Sequence, residues 1–270
     1  MQGASRDALR ASREQLTVLR GEGGDLGALG EGLLSVVRLL DRETSLRRTL
    51  GDPTVAQAAK ESLLDALLGD QLDPGALRLV KAVAAERWSR ARDLVDGIEV
   101  LGVTALLLVS DADGSLDTVE EQVFRFERTL AREPELRAVL TDRGLDDDRK
   151  TALLDGLLEG KAHSTTRRLI SAAVLEPRGR TIEDALADMA GLAADVRSRT
   201  LATVVTAVPL DDAQRSRLAA SLSTQLGRQV QLQVEVDPKV VGGVLVKVGD
   251  EVIDGSTRHR LAEARRALSS

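Results

Sequence analysis

Apolar side chains recur through about residue 199 at three- and four-residue steps, the spacing that gathers them on one face of an α-helix. Leu26, Leu29, Leu33, Val36, Val37 and Leu40 form one such stripe, and Leu116, Val119, Val123, Phe126 and Leu130 form another. Leu63, Leu64, Leu67 and Leu68 make a third, which returns at 153, 154, 157 and 158. Asp73-Pro74 and Glu133-Pro134 put proline at a first helical position, where its missing N–H costs nothing, and Asp52-Pro53 marks a turn. The pattern predicts helices over about 4–20, 26–41, 44–50, 54–69, 74–86 and from 90 onward.

Sliding the chain against itself by 90 residues aligns 24–90 with 114–180 without a gap, and 22 of the 67 positions are identical. SLRRTLGD falls on ELRAVLTD, and KESLLDALL on KTALLDGLL. The expectation is a tandem duplication giving two six-helix-type bundles, copy one over 1–95 and copy two over 96–199. By that offset, residues 90–110 serve both as the closing helix of copy one and as the opening helix of copy two. Leu94, Val95 and Ile98 would face back, and Val103, Leu106, Leu107 and Val109 forward. Gly97 and Gly102 are the weak points of this shared helix, each costing about 1 kcal/mol against alanine.

Beyond residue 199 the period shortens to two. Residues 201–208 read as a strand, 210–226 as a helix capped by Asp211 or Asp212, and 230–236 as a half-buried strand with alternating valine, leucine and polar positions. Residues 242–248 and 251–253 then form a hairpin around Gly249-Asp250, and Ser256 caps a last helix ending near Leu268. The fold class is therefore mainly α, with a small α+β domain over 200–270.

Composition narrows the chemistry. The aromatic residues are Trp88, Phe124 and Phe126, too few for a base-stacking platform. There is no cysteine, which removes thiolate metal sites and cysteine nucleophiles. The middle segment, 96–199, carries a net charge of −7, and no segment is basic enough to follow a phosphate backbone, so no nucleic-acid partner is expected. The longest apolar run, 101–109, is far short of the roughly 20 residues that span a bilayer, and the start lacks the apolar stretch of a secretory signal. The two histidines, His163 and His259, read as surface residues; His259 with Glu263 makes half a metal site at best. Gly242, Gly243 and Gly249 build no phosphate loop, and Asp146-Asp147-Asp148 stands where carboxylates favour a helix N-terminus. With no catalytic, cofactor or metal set, the chain reads as an interaction protein.

The C-terminal region carries a longer pattern: Val236-Asp237-Pro238, Gly242-Gly243, Gly249-Asp250, Asp254, Ser256 and Leu261, preceded by Leu210 and Gln214. It resembles the delta subunit family of F-type ATP synthases, whose mitochondrial counterpart is the oligomycin sensitivity-conferring protein. The likeness runs over about 98–270 and takes in copy two. It implies a non-catalytic subunit of the peripheral stalk, one copy per complex. The helical domain would grip the α subunits of the catalytic head, and the C-terminal domain the membrane-anchored b subunit. The location implied is peripheral, on the cytoplasmic face of the cell membrane. Family members generally have one bundle, so the extra copy is a departure. The other reading is a free-standing α-helical repeat adaptor without an ATPase.

Overall fold

The computed structural model describes residues 3–142, 144–226, 230–237, 244–248 and 251–254. The chain divides into two compact units, Met1–Ala193 and Ala194–Ser270.

The first unit is helical: α1 (Ala4–Gly21), α2 (Leu26–Arg42), α3 (Thr44–Gly51), α4 (Gln57–Leu68), α5 (Pro74–Ala85), α6 (Ala91–Ala112), α7 (Leu116–Arg132), α8 (Pro134–Thr141), α9 (Asp147–Leu158) and α10 (Ser164–Leu175), with α11 (Ile182–Thr200) beginning in it. The bounds of α2, α3, α4 and α5 reappear 90 residues later, position for position, in α7, α8, α9 and α10. The caps correspond as well. Asp73 accepts from Gly75 N and Ala76 N at 2.8 and 3.2 Å, and His163, at the matching position before α10, accepts from Thr165 N through Nδ1 at 3.3 Å. A histidine therefore fills a cap site that usually takes Asp, Asn, Ser or Thr.

α6 is the axis of this unit. It runs unbroken for 22 residues and packs on α1, α2, α3 and α5 on one side and on α7 and α10 on the other. Leu94, Val95, Ile98, Leu101, Leu106 and Leu107 are fully buried along it, each worth about 1.5–3 kcal/mol relative to exposure. The two glycines expected to weaken this helix instead let its neighbours approach. A methyl group on Gly30 of α2 would lie 2.8 Å from Leu106 Cγ and 3.0 Å from the Gly102 carbonyl oxygen. One on Gly102 would lie 3.1 Å from Leu33 Cβ, so α2 and α6 cross nearly backbone to backbone. Gly97 makes room for the indole of Trp88, whose Nε1 donates to the Val83 carbonyl at 2.8 Å. The lost helix propensity is offset by close packing at both points.

The second unit holds β1 (Leu201–Thr206), α12 (Asp212–Leu226), β2 (Gln231–Val236), β3 (Val244–Val248) and β4 (Glu251–Asp254) in one mixed sheet of order β2-β1-β3-β4. β1 and β2 are parallel and joined through α12, whereas β1–β3 and β3–β4 are antiparallel. Ala202, Val204, Leu222, Val230 and Val246 form its core, with Leu210 and Leu218 packed against it. Asp211 caps α12 reciprocally: it accepts from Gln214 N at 2.7 Å while its own N–H donates to Gln214 Oε1 at 3.0 Å. β1 ends at Thr206, two residues before the expected end, because Pro209 follows and Thr206 Oγ1 turns back to donate to the Val208 carbonyl. The helix expected from Ser256 lies outside the described residues.

Candidate interfaces

Of the C-terminal motif residues, Val236, Asp237 and Asp254 fall on described backbone. Val236 closes β2 with 47 % of its surface exposed, and the Asp237 N–H donates to the Thr206 carbonyl at 2.9 Å, locking the end of the parallel pair. Asp254 is the last residue of β4, opposite Leu245 of β3. β2 and β4 are the two edges of the sheet, so the motif's first and later parts stand on opposite edges. Pro238, Gly242, Gly243, Gly249, Asp250, Ser256 and Leu261 lie outside the described residues, as does His259. Val208 joins Val236 as a large apolar side chain left on the surface of this unit.

The helical unit also leaves apolar side chains outside. α7 buries Leu116, Val119, Val123, Phe126 and Leu130 and turns Phe124 outward, 57 % exposed, with the Arg128 guanidinium 5.7 Å from the ring centroid. Such exposed cation–π pairs contribute about 0.5–1 kcal/mol. Val139 of α8 is exposed, and Leu67 of α4 and Leu157 of α9, which stand 90 residues apart, are exposed alike.

A buried ionic cluster fixes the α10–α11 turn, a feature not singled out from the sequence. Arg178 sits in the left-handed region (φ 52°) with its side chain almost wholly buried. Its guanidinium meets Glu99 at 2.7 Å, Asp96, and Asp41 of α2 at 3.5 Å. Arg180 meets Glu99 at 2.5 Å and Asp188 at 2.9 Å, and Arg38 of α2 meets Glu176 at 2.9 Å. Burial pushes the Glu176 carboxyl up to about 7, against the pull of Arg38 and with a further push from Glu99 and Asp41. Its Oε2 has no hydrogen-bond partner. Ninety residues before Arg178 stands Trp88, packed on Gly97, so the α5–α6 turn is held by apolar contact and the α10–α11 turn by charge. The signal available in the sequence was Asp96 and Glu99 in a stretch, 94–109, that is otherwise apolar apart from glycine and threonine: acids in such a stretch predict buried partners. Asp93, at the start of the same helix, accepts from Ser5 Oγ at 2.8 Å and stands 3.5 Å from Arg90.

Asp146 caps α9, and Asp147 takes Arg42 at 3.1 Å, so the aspartate triplet serves the helix N-terminus. Among the described residues no three His, Asp or Glu side chains converge as metal ligands.

Amphipathic helices packed around α6 and a small mixed sheet make up the two units. The profile of the ATP synthase delta (OSCP) subunit family matches residues 103–268. The ATP synthase subunit delta of Streptomyces avermitilis is 47 % identical over 99 % of this chain and 98 % of its own length. That of Acidothermus cellulolyticus is 47 % identical over the full length of both. A chain in the cryo-EM structure of the Toxoplasma gondii mitochondrial ATP synthase hexamer aligns with a TM-score of 0.30 at 19 % identity, over 62 % of this chain and 95 % of that one. The chain belongs to the ATP synthase delta (OSCP) subunit family, and it is a non-catalytic component of the peripheral stalk of an F-type ATP synthase.

Proposed function

We propose that this chain is the clamp between the catalytic head and the membrane-anchored stalk, resisting rotor torque so that proton flow drives ATP synthesis. The helical unit holds N-terminal segments of the α subunits, and the C-terminal unit holds the b subunit, with the chain peripheral on the cytoplasmic face of the cell membrane. The match over 99 % of the chain to a subunit delta carries this reading. The exposed Phe124, Val139 and Leu157 on the helices, and Val208 and Val236 on the small unit, support two separate contact surfaces. The motif from Val236 and Asp237 through Pro238, Gly242, Gly243, Gly249, Asp250, Asp254, Ser256 and Leu261 belongs, in this reading, to the b-subunit side.

The same reading includes an internal duplication, with copy one over 1–95, copy two over 96–199 and the C-terminal domain over 200–270. The 22 identities in 67 positions, the helix bounds matched at a 90-residue offset and the paired caps at Asp73 and His163 support it. The test is photo-cross-linking in native membranes from positions 124 and 236. Position 236 is expected to label the b-type subunit and position 124 an α subunit. Exchange of the two products, or label on neither, refutes the assignment.

A further inference from the structure

α2 is tied to α9, α10 and the α10–α11 turn by ion pairs. Glu31 meets Arg168 at 2.5 Å, Arg42 meets Asp147 at 3.1 Å, Asp41 meets Arg178 at 3.5 Å and Arg38 meets Glu176 at 2.9 Å. Of the four acids only Glu176 is buried, at 6 % exposure. It lines a cavity of about 560 Å³ between α2, α9 and the end of α10. Arg38 holds its Oε1, while its Oε2 is buried without a hydrogen-bond partner. The other cations nearby are already engaged. On the cavity wall Arg42 is held by Asp147, and Arg178 by Asp41, Asp96 and Glu99; beyond it Arg180 is shared by Glu99 and Asp188 of α11. Asp41 from α2 and Glu99 from α6 both push the Glu176 carboxyl towards its protonated form, and Asp148 of α9 lines the same cavity.

The backbone beside this acid is a hinge. Arg178 and Gly179 follow one another in the left-handed region, at φ 52° and 79°, and a non-glycine residue stays there only while its surroundings hold it. We propose that the α10–α11 turn is a proton-operated latch. With Glu176 protonated the turn is fastened to α2 and α6; with Glu176 ionised it swings out about Arg178-Gly179 and the carboxylate reaches water. The step exchanges one proton with solvent and breaks no covalent bond. In the open turn the carboxyl returns to its ordinary 4.5, and in the closed turn it stands at about 7. Opening therefore releases a proton, so it grows about tenfold per pH unit inside that window and levels off above it. Acid tightens the joint between α2 and the turn, and alkali loosens it. The latch is independent of which subunits the two units of the chain hold.

Hydrogen–deuterium exchange of the full chain, read by mass spectrometry from about pH 5 to about pH 8 and corrected for the chemical rate, provides the test. Peptides covering 174–182 contain the Glu176 and Arg180 amides, which donate to the Ala172 and Pro177 carbonyls. Their opening should be about seventyfold greater at the upper end of the range than at the lower, with most of the rise below about pH 7. They should exchange faster than the amides of α6, and without the dependence on low urea that marks global unfolding. Glu176→Gln should keep the turn closed across the whole range. Arg38→Met removes the cation bonded to Glu176 and should carry the rise to higher pH. A flat profile in the natural chain, an unchanged profile in Glu176→Gln, or exchange of the turn only at the rate of α6 would each overturn the proposal.

Discussion

Glu176→Gln tests the electrostatics of the α10–α11 turn. In the unfolded chain this carboxyl has its ordinary value of 4.5, and in the folded chain burial raises it to about 7. A value raised by folding means that the native state prefers the protonated form. The stabilisation is therefore fully present below pH 4.5 and is lost as pH rises through the window from 4.5 to about 7. At about 1.36 kcal/mol per pKa unit, the whole window corresponds to about 3 kcal/mol, of which about 2.5 kcal/mol falls between about pH 5 and 8. Glutamine keeps the shape and an acceptor for Arg38 but does not titrate. The stability of the variant relative to the natural chain should therefore rise with pH by about 2–3 kcal/mol across that range. The assay is urea unfolding of the full chain at several pH values, followed by the fluorescence of Trp88, the chain's one tryptophan, which sits in the helical unit. A difference between the two proteins that stays flat from about pH 5 to 8 would refute the buried, titrating carboxylate.

Three further outcomes follow from the packing. Arg178→Ala should cost at most about 3–5 kcal/mol in the same unfolding assay, because the buried Glu99 loses one of its two arginines and keeps Arg180. Gly30→Ala should cost about 1–3 kcal/mol, since its methyl group would press on Leu106 Cγ at 2.8 Å where α2 crosses α6. Asp73→Ala should lose about 1 kcal/mol of cap energy, whereas His163→Asp should hold or gain stability by bringing in the stronger cap and a charge suited to the helix dipole.

The helices were legible because their apolar stripes recur at three- and four-residue steps, helped at α5 and α8 by a proline at the first position. α4 is the instructive discrepancy. Its predicted start at 54 moves to Gln57 because Asp52 accepts from Thr54 N and Thr54 Oγ1 at 2.8 and 2.7 Å, holding that stretch as a turn. The helix expected over 90–110 is present as α6, continuous from Ala91 to Ala112. What the pattern could not show was the purpose of its glycines. Propensity assigns a glycine a cost, and whether Gly97 and Gly102 repay it depends on Trp88 and α2, side chains and backbone brought there from elsewhere in the chain. The ionic cluster was hidden for the same reason, since Asp41, Glu99 and Arg178 are far apart in sequence.

Positions 88 and 178, 90 residues apart, make a physical contrast between two turns concrete. A tryptophan against a glycine gains from excluded water and dispersion, is indifferent to salt and pH near neutrality, and needs no partner beyond a gap in the facing helix. An arginine among Asp41, Asp96 and Glu99 must first lose its hydration and recovers that cost only if every carboxylate stays in place. The first solution tolerates small movements of the turn, and the second fixes its position relative to both α2 and α6. Because α6 carries Gly97 for the tryptophan and Glu99 for the arginines two residues apart, one helix holds both turns, and an error in its register would loosen them together. That shared dependence explains why so apolar a helix keeps its glycines and its buried acids, each of which costs stability when the helix is considered alone.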